Sequence, residues 1–316
     1  CNYLDVSDQL AGGLQNTDEV FENVSYTKRW YASIFTGIPD YSGLNSTNVN
    51  GFKNPWASIC DELVTGYGNA SKYNNSDKNA TNVSFHRYGD CYKAIRQANI
   101  FLQKAHVITA GGTQGDELLE PELKRYQANA RFMRAFYHYL LFEQYGPIII
   151  VGDKVYEATE SQDMSRNSVD EVVEYLDKEL LASADELSQE PIIDENYRAE
   201  PTKGVALAVR AKMWVYAASP LLNGGFNEAL NIANPDGKKL FPIADAAKWE
   251  RARQACADFI NYANENNRYE LYYAAPEKNG VVNPEKSVYE LFQKYTKEII
   301  WATATADWGG LDGDAF

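Results

Sequence analysis

Apolar residues recur at three- and four-residue steps in six long stretches of the chain, the spacing of one face of an α-helix. The most pronounced stretch runs from Pro121 to Gly146, where Leu123, Tyr126, Ala130, Met133, Tyr137, Leu140 and Leu141 share a face, flanked by Arg131, Arg134 and Glu143. Pro121 suits a first turn, and Gly146-Pro147 is a stop, because proline disfavours helix at the residue before it. The spacing predicts a helix of about 24 residues, roughly 36 Å long at 1.5 Å per residue. An apolar face this broad needs other helices to cover it. The same periodicity predicts helices over 18–35, 88–104, 168–187 and 248–264, and one opened by Pro201 that carries through to Asn223. Trp56 to Val64 reads as a short helix, Val288 to Tyr295 as a further helical stretch, and Glu298 to Thr303 as a strand or buried run.

Between these elements lie two long aperiodic segments, 37–55 and 65–85, rich in Gly, Asn, Ser and Thr. The helices come in pairs joined by turns, with Ala206, Ala208, Ala211, Ala217, Ala252 and Ala255 at the crossings. Small residues there let helices approach closely, as in tetratricopeptide-type solenoids, although no clean 34-residue period is present. The expected fold is mainly α: degenerate tetratricopeptide-like helix pairs forming an α-solenoid with long irregular loops.

Composition narrows the function. With 44 acidic against 30 basic residues the net charge is −14, which opposes binding to nucleic acid or an anionic membrane face. No stretch approaches the ~20 apolar residues a spanning helix needs. Cys60, Cys91 and Cys256 show no metal or redox spacing; Cys91 and Cys256 fall in helical patterns as core residues, and a Cys60–Cys91 disulfide stays open. The 22 tyrosines and 6 tryptophans suggest a thick aromatic core or aromatic binding surfaces. The N-x-S/T triplets at Asn45, Asn69, Asn74, Asn79 and Asn82 read as by-products of Asn-rich loops.

The run Ala130-Arg131-Phe132-Met133-Arg134-Ala135-Phe136-Tyr137, with Leu140 to Tyr145 and Gly146-Pro147-Ile148 after it, resembles the hallmark helix of the SusD/RagB family. Those are surface lipoproteins that capture glycans beside an outer-membrane transporter. Four further places are similar, in the family's order: Cys1 followed by Leu4-Asp5-Val6, Asp61-Glu62-Leu63-Val64, the set Tyr92, Ile95, Ala98 and Asn99, and Lys297 to Trp301. The resemblance covers the family's helical half, without its C-terminal part. It implies a lipoprotein tether over 1–16 with lipid on Cys1, and a helical-repeat domain over 17–316 at the cell surface. It further implies an oligosaccharide ligand and a SusC-like TonB-dependent transporter as partner.

Sugar binding needs flat aromatic faces to stack on rings and amides to hydrogen-bond hydroxyls. The loop 65–77 supplies both in Tyr67, Asn69, Tyr73 and Asn74, where the resemblance implies a ligand loop; alternatively these residues satisfy turns and cover helices. Trp56 is either a packing anchor or a sugar platform, and Trp308, between Asp307 and two glycines, is the candidate from the other end. Trp30, Trp214 and Trp249 sit inside amphipathic patterns as core residues.

No catalytic constellation is found. Asp61 and Glu62 adjoin on different sides of a turn, unlike the facing carboxylates of glycoside hydrolases, and no nucleophile-elbow, zincin or phosphate-loop motif occurs. His86, His106 and His138 lack metal-ligand spacing, His138 reads as a satisfied core residue, and no cofactor or metal is implied. The alternatives to glycan capture are a helical-repeat interaction scaffold or a peptide-type cargo.

Overall fold

The computed structural model describes residues 17–39, 86–109, 117–156, 160, 163–277, 280–291 and 293–302. Eight α-helices occupy them: α1 (Thr17–Phe21), α2 (Val24–Ser33), α3 (Tyr88–Lys104), α4 (Glu120–Tyr145), α5 (Val169–Glu186), α6 (Lys203–Ala218), α7 (Ala247–Asn264) and α8 (Pro284–Leu291). Helices α3 to α7 pack in sequence order, each against the next, which is the arrangement of a helical solenoid. Among the described residues the only β pairings are isolated bridges, such as Ile108 with Leu118.

Helix α4 is the axis of the stack. Its 26 residues begin with Glu120-Pro121 and end at Gly146, whose φ of 67° is a left-handed conformation that glycine adopts without a Cβ penalty. Burial on α4 is wider than one face: from Ala128 to Phe142 every residue but Arg131 is buried. A helix apolar all round belongs in the centre of a core. Phe132, Met133, Tyr137, Leu141 and Phe142 are wholly enclosed, each contributing about 1.5–3 kcal/mol through removal from water.

Capping side chains set several boundaries. Ser168 accepts from the Glu171 N–H while Glu171 accepts from the Ser168 N–H, a reciprocal box that starts α5. The single helix expected over 18–35 is broken, because Asn23 adopts extended backbone and its side chain accepts from the Tyr26 N–H to open α2. Helix α6 stops at Ala218 rather than running to Asn223, since Pro220 disfavours helix at Ser219. The last helix spans Pro284–Leu291, upstream of the 288–295 stretch expected for it.

One further expectation fails for a tertiary reason, and one is decided between its two alternatives. Trp249 is 52% exposed and Ile260 is also exposed, whereas Ala252, Ala255, Tyr262 and Ala263 are the buried positions of α7. Helix α7 is the last long helix of the described stack, so no further long helix covers that side among the described residues. The 298–302 run forms no strand; Trp301 instead sets its ring edge-on to Phe136 at 5.2 Å and donates its indole N–H to the Ala199 carbonyl at 2.8 Å. Trp30, Trp214 and Cys91 are buried as expected, and Cys256 is half-buried.

Candidate functional site

Tyr67, Asn69, Tyr73, Asn74, Trp56 and Trp308, together with Cys1 and Cys60, lie outside the described residues. The ends of segment 40–85 are described: Pro39 and His86 line one cleft of about 390 Å³, whose walls include Arg87, Asp90 and Gln97.

A second cleft, of about 420 Å³, opens beside the first turn of α3. Its construction begins with a polar stripe on that helix. Tyr92, Arg96, Asn99 and Gln103 follow at four-, three- and four-residue steps, so they share a face. Each reaches a backbone carbonyl of one irregular segment. Tyr92 donates to Ile149 at 2.8 Å, Arg96 to Tyr156 at 2.7 Å, Asn99 to Gly152 and Lys154 at 3.0 Å, and Gln103 to Asp153 at 2.9 Å. Tyr92 also accepts from the Ile149 N–H at 3.1 Å. A segment without a ladder of its own thus has its buried polar groups satisfied by side chains.

The other side of that segment is held from α4 and α5. His138 is fully buried; its Nδ1–H donates to the Arg134 carbonyl at 2.8 Å and its Nε2 accepts from the Val151 N–H at 3.3 Å. Burial pushes the imidazole down to about 4, so the ring is neutral at pH 7, in the tautomer that both partners require. Asn167 accepts from the Ile150 N–H at 3.0 Å. Arg134 donates to Asn99 at 3.3 Å and to Glu179 on α5 at 2.8 Å, completing a polar joint through the core.

The cleft itself is lined by aromatic, apolar and cationic side chains. Tyr88 is 39% exposed and sets its ring 4.7 Å from that of Tyr92; Tyr156 also lines the cleft, with the Lys154 ammonium 4.2 Å from its centroid. Burial, reinforced by Tyr88, holds the Tyr92 phenol above its usual range, so it stays protonated and donating. The hydroxyl of Tyr145, at the end of α4, accepts from the N–H groups of Arg87 and Tyr88, capping the start of α3 where no local side chain does. Ile149, Val151 and Met164 add apolar lining, and Lys93, Arg96 and Lys154 add positive charge. No carboxylate lines the cleft among the described residues. Stacking faces beside fixed hydrogen-bond donors suit a polar ring-shaped ligand.

Sequence reasoning placed Tyr92 and Asn99 in their helix but missed the cleft. The 92–96–99–103 stripe was its one readable signal; the opposing wall comes from residues more than 50 positions away. Cys91 and the three described tryptophans of the helices take no part in it.

A family profile described as starch-binding associating with outer membrane, SusD-like, matches residues 16–215. Among solved structures, the protein BT4246 superposes with a TM-score of 0.63 at 26% identity, over 84% of this chain and 45% of its own. A SusD-like protein from Bacteroides fragilis gives a TM-score of 0.57 at 17% identity, over 93% of this chain and 46% of its own. Surface glycan-binding protein A from Bacteroides uniformis gives 0.53 at 18% identity, over 88% of this chain and 51% of its own. No match was found among curated proteins. The chain therefore spans about half the length of the structures it resembles. With more than half of its residues inside the profile and its helix order shared with these structures, the chain belongs to the SusD-like family.

Proposed function

We propose that this chain is the helical portion of a non-catalytic binding protein that captures an oligosaccharide at the outer-membrane surface and passes it to a SusC-like TonB-dependent transporter. The observation that carries the reading is the family match over residues 16–215, described as starch-binding in association with the outer membrane. The cleft at the start of α3 supports it, because Tyr88, Tyr92 and Tyr156 offer ring faces beside fixed donors. No helix among the described residues is long and apolar enough to cross a membrane. The loop residues Tyr67, Asn69, Tyr73 and Asn74, with Trp56 and Trp308, belong to the proposal as further stacking and hydrogen-bonding groups.

Calorimetric titration against a panel of neutral and acidic oligosaccharides, with product analysis after long incubation, tests this reading. Saturable binding without products is expected. Products would mark an enzyme, and silence across the panel would remove carbohydrate as the cargo. Tyr67→Ala with Tyr73→Ala should weaken binding while the helical circular dichroism is retained; unchanged affinity would take those two out of the site.

A further inference from the structure

We infer that the cleft at the start of α3 selects an acidic saccharide, a uronic acid residue whose carboxylate meets Arg96. The inference rests on the carbohydrate reading above and names the sugar class for this one site. Three observations carry it.

The first is charge. In a chain with 44 acidic and 30 basic residues, the described lining of this cleft contains Lys93, Arg96 and Lys154 and no Asp or Glu. Lys93 and Lys154 have partners, Asp90 at 3.5 Å and Glu160 at 3.1 Å, but both pairs are solvent-exposed and worth little, so a ligand carboxylate can compete for them. Arg96 differs: it donates to the Tyr156 carbonyl, and no described carboxylate pairs with it. A carbonyl leaves its positive charge uncompensated, and a single bond from Nη1 leaves the other donors of the fork for a ligand. A planar fork matches a carboxylate through two parallel N–H···O bonds.

The second is Gly89. Of the glycines described, it alone combines an ordinary backbone with open space around the position a Cβ would take. Neither a left-handed turn nor a close neighbour demands glycine, and glycine inside a helix weakens it relative to alanine. Its missing side chain keeps the cleft open between Tyr88 and Lys93.

The third is shape. The ring of Tyr92 lies about one helical turn from Arg96, four residues along the same helix, so one sugar ring can stack there while its carboxylate reaches the guanidinium.

The experiment compares a uronic acid oligomer, its neutral hexose counterpart and a sulfated oligosaccharide by calorimetry, at low and high salt, on the parent chain and on Gly89→Trp and Lys154→Gln. The expected result is a preference for the uronate over the neutral oligomer of about tenfold or more, as for hydrogen bonds to charged groups, shrinking at high salt. Gly89→Trp should abolish uronate binding with the helical signal intact, and Lys154→Gln should weaken it. Equal or tighter binding of the neutral oligomer, or uronate binding that survives Gly89→Trp, overturns the inference and leaves carbohydrate capture standing. A preference for the sulfated sugar over the uronate overturns the carboxylate assignment. Binding of none of the three sinks both the inference and the function it rests on.

Discussion

Arg134 and Arg96 stand on neighbouring helices and both help to hold the 149–156 backbone, Arg134 through Asn99 and Arg96 directly at Tyr156. Arg134 is 8% exposed, and Glu179 on the next helix answers its charge at 2.8 Å. Arg96 lines an open cleft with a backbone carbonyl as its described partner. The same residue type therefore does two kinds of work. Where protein closes over an arginine, a carboxylate must accompany it, since an unpaired buried charge is too costly to keep. Where water still reaches the guanidinium, its charge is left for a ligand. What separates a joint from a site in this molecule is charge compensation, and side-chain identity does not reveal it.

The largest effect should come from breaking the joint. Glu179→Ala leaves Arg134 buried without its carboxylate, and denaturant unfolding should lose about 3–5 kcal/mol. A loss below about 1 kcal/mol would mean that water or another group already serves Arg134, and the contrast with Arg96 would collapse.

Acid should open the same joint from its other end. His138 titrates near 4 in the fold against 6.5 when unfolded, so the unfolded chain binds the proton more readily. Its contribution is fully present above about pH 6.5 and is lost as pH falls towards 4, by about 3 kcal/mol at most. Unfolding free energies between pH 7 and pH 4 should show this slope, and His138→Gln should flatten it. An equal slope in the variant would assign the acid sensitivity to other groups.

Arg96→Ala should cost less, about 1–2 kcal/mol of stability for one charged hydrogen bond, while removing the preference for acidic sugar. A stability loss as large as that of Glu179→Ala would make Arg96 another sealed joint. Gly89→Ala should act in the opposite direction. It stabilises α3 by about 0.5–1 kcal/mol, because the added methyl meets open space in a helical turn. Destabilisation in a thermal melt would show the position is not open. Smallest of all, Lys154→Gln should change stability by no more than about 0.5 kcal/mol, its pair with Glu160 being solvent-exposed.

Much of the helical frame is legible in the sequence. Boundaries at Tyr88, Lys104, Tyr145 and Asn264 follow from periodicity with local stop signals, and those signals act within a turn of the residues that carry them. His138 as a satisfied core residue was legible too, lying on a helix with buried neighbours on every side. Trp249 was not: its spacing is that of a core residue, yet exposure depends on whether another helix lies over α7. The break at Asn23 was missed because apolar periodicity carries on through a cap.

The sequence by itself determined the class of fold, the order of the long helices, and the family. Helical periodicity, capping and proline stops are encoded within a few residues, and the α4 run is specific enough to name its relatives. Only the tertiary structure decided that the 149–156 segment folds back along α3, which arginine is answered by a carboxylate, and that Tyr88 and Tyr156 line one cleft. Those outcomes depend on contacts between residues 45 or more positions apart, which no local pattern specifies.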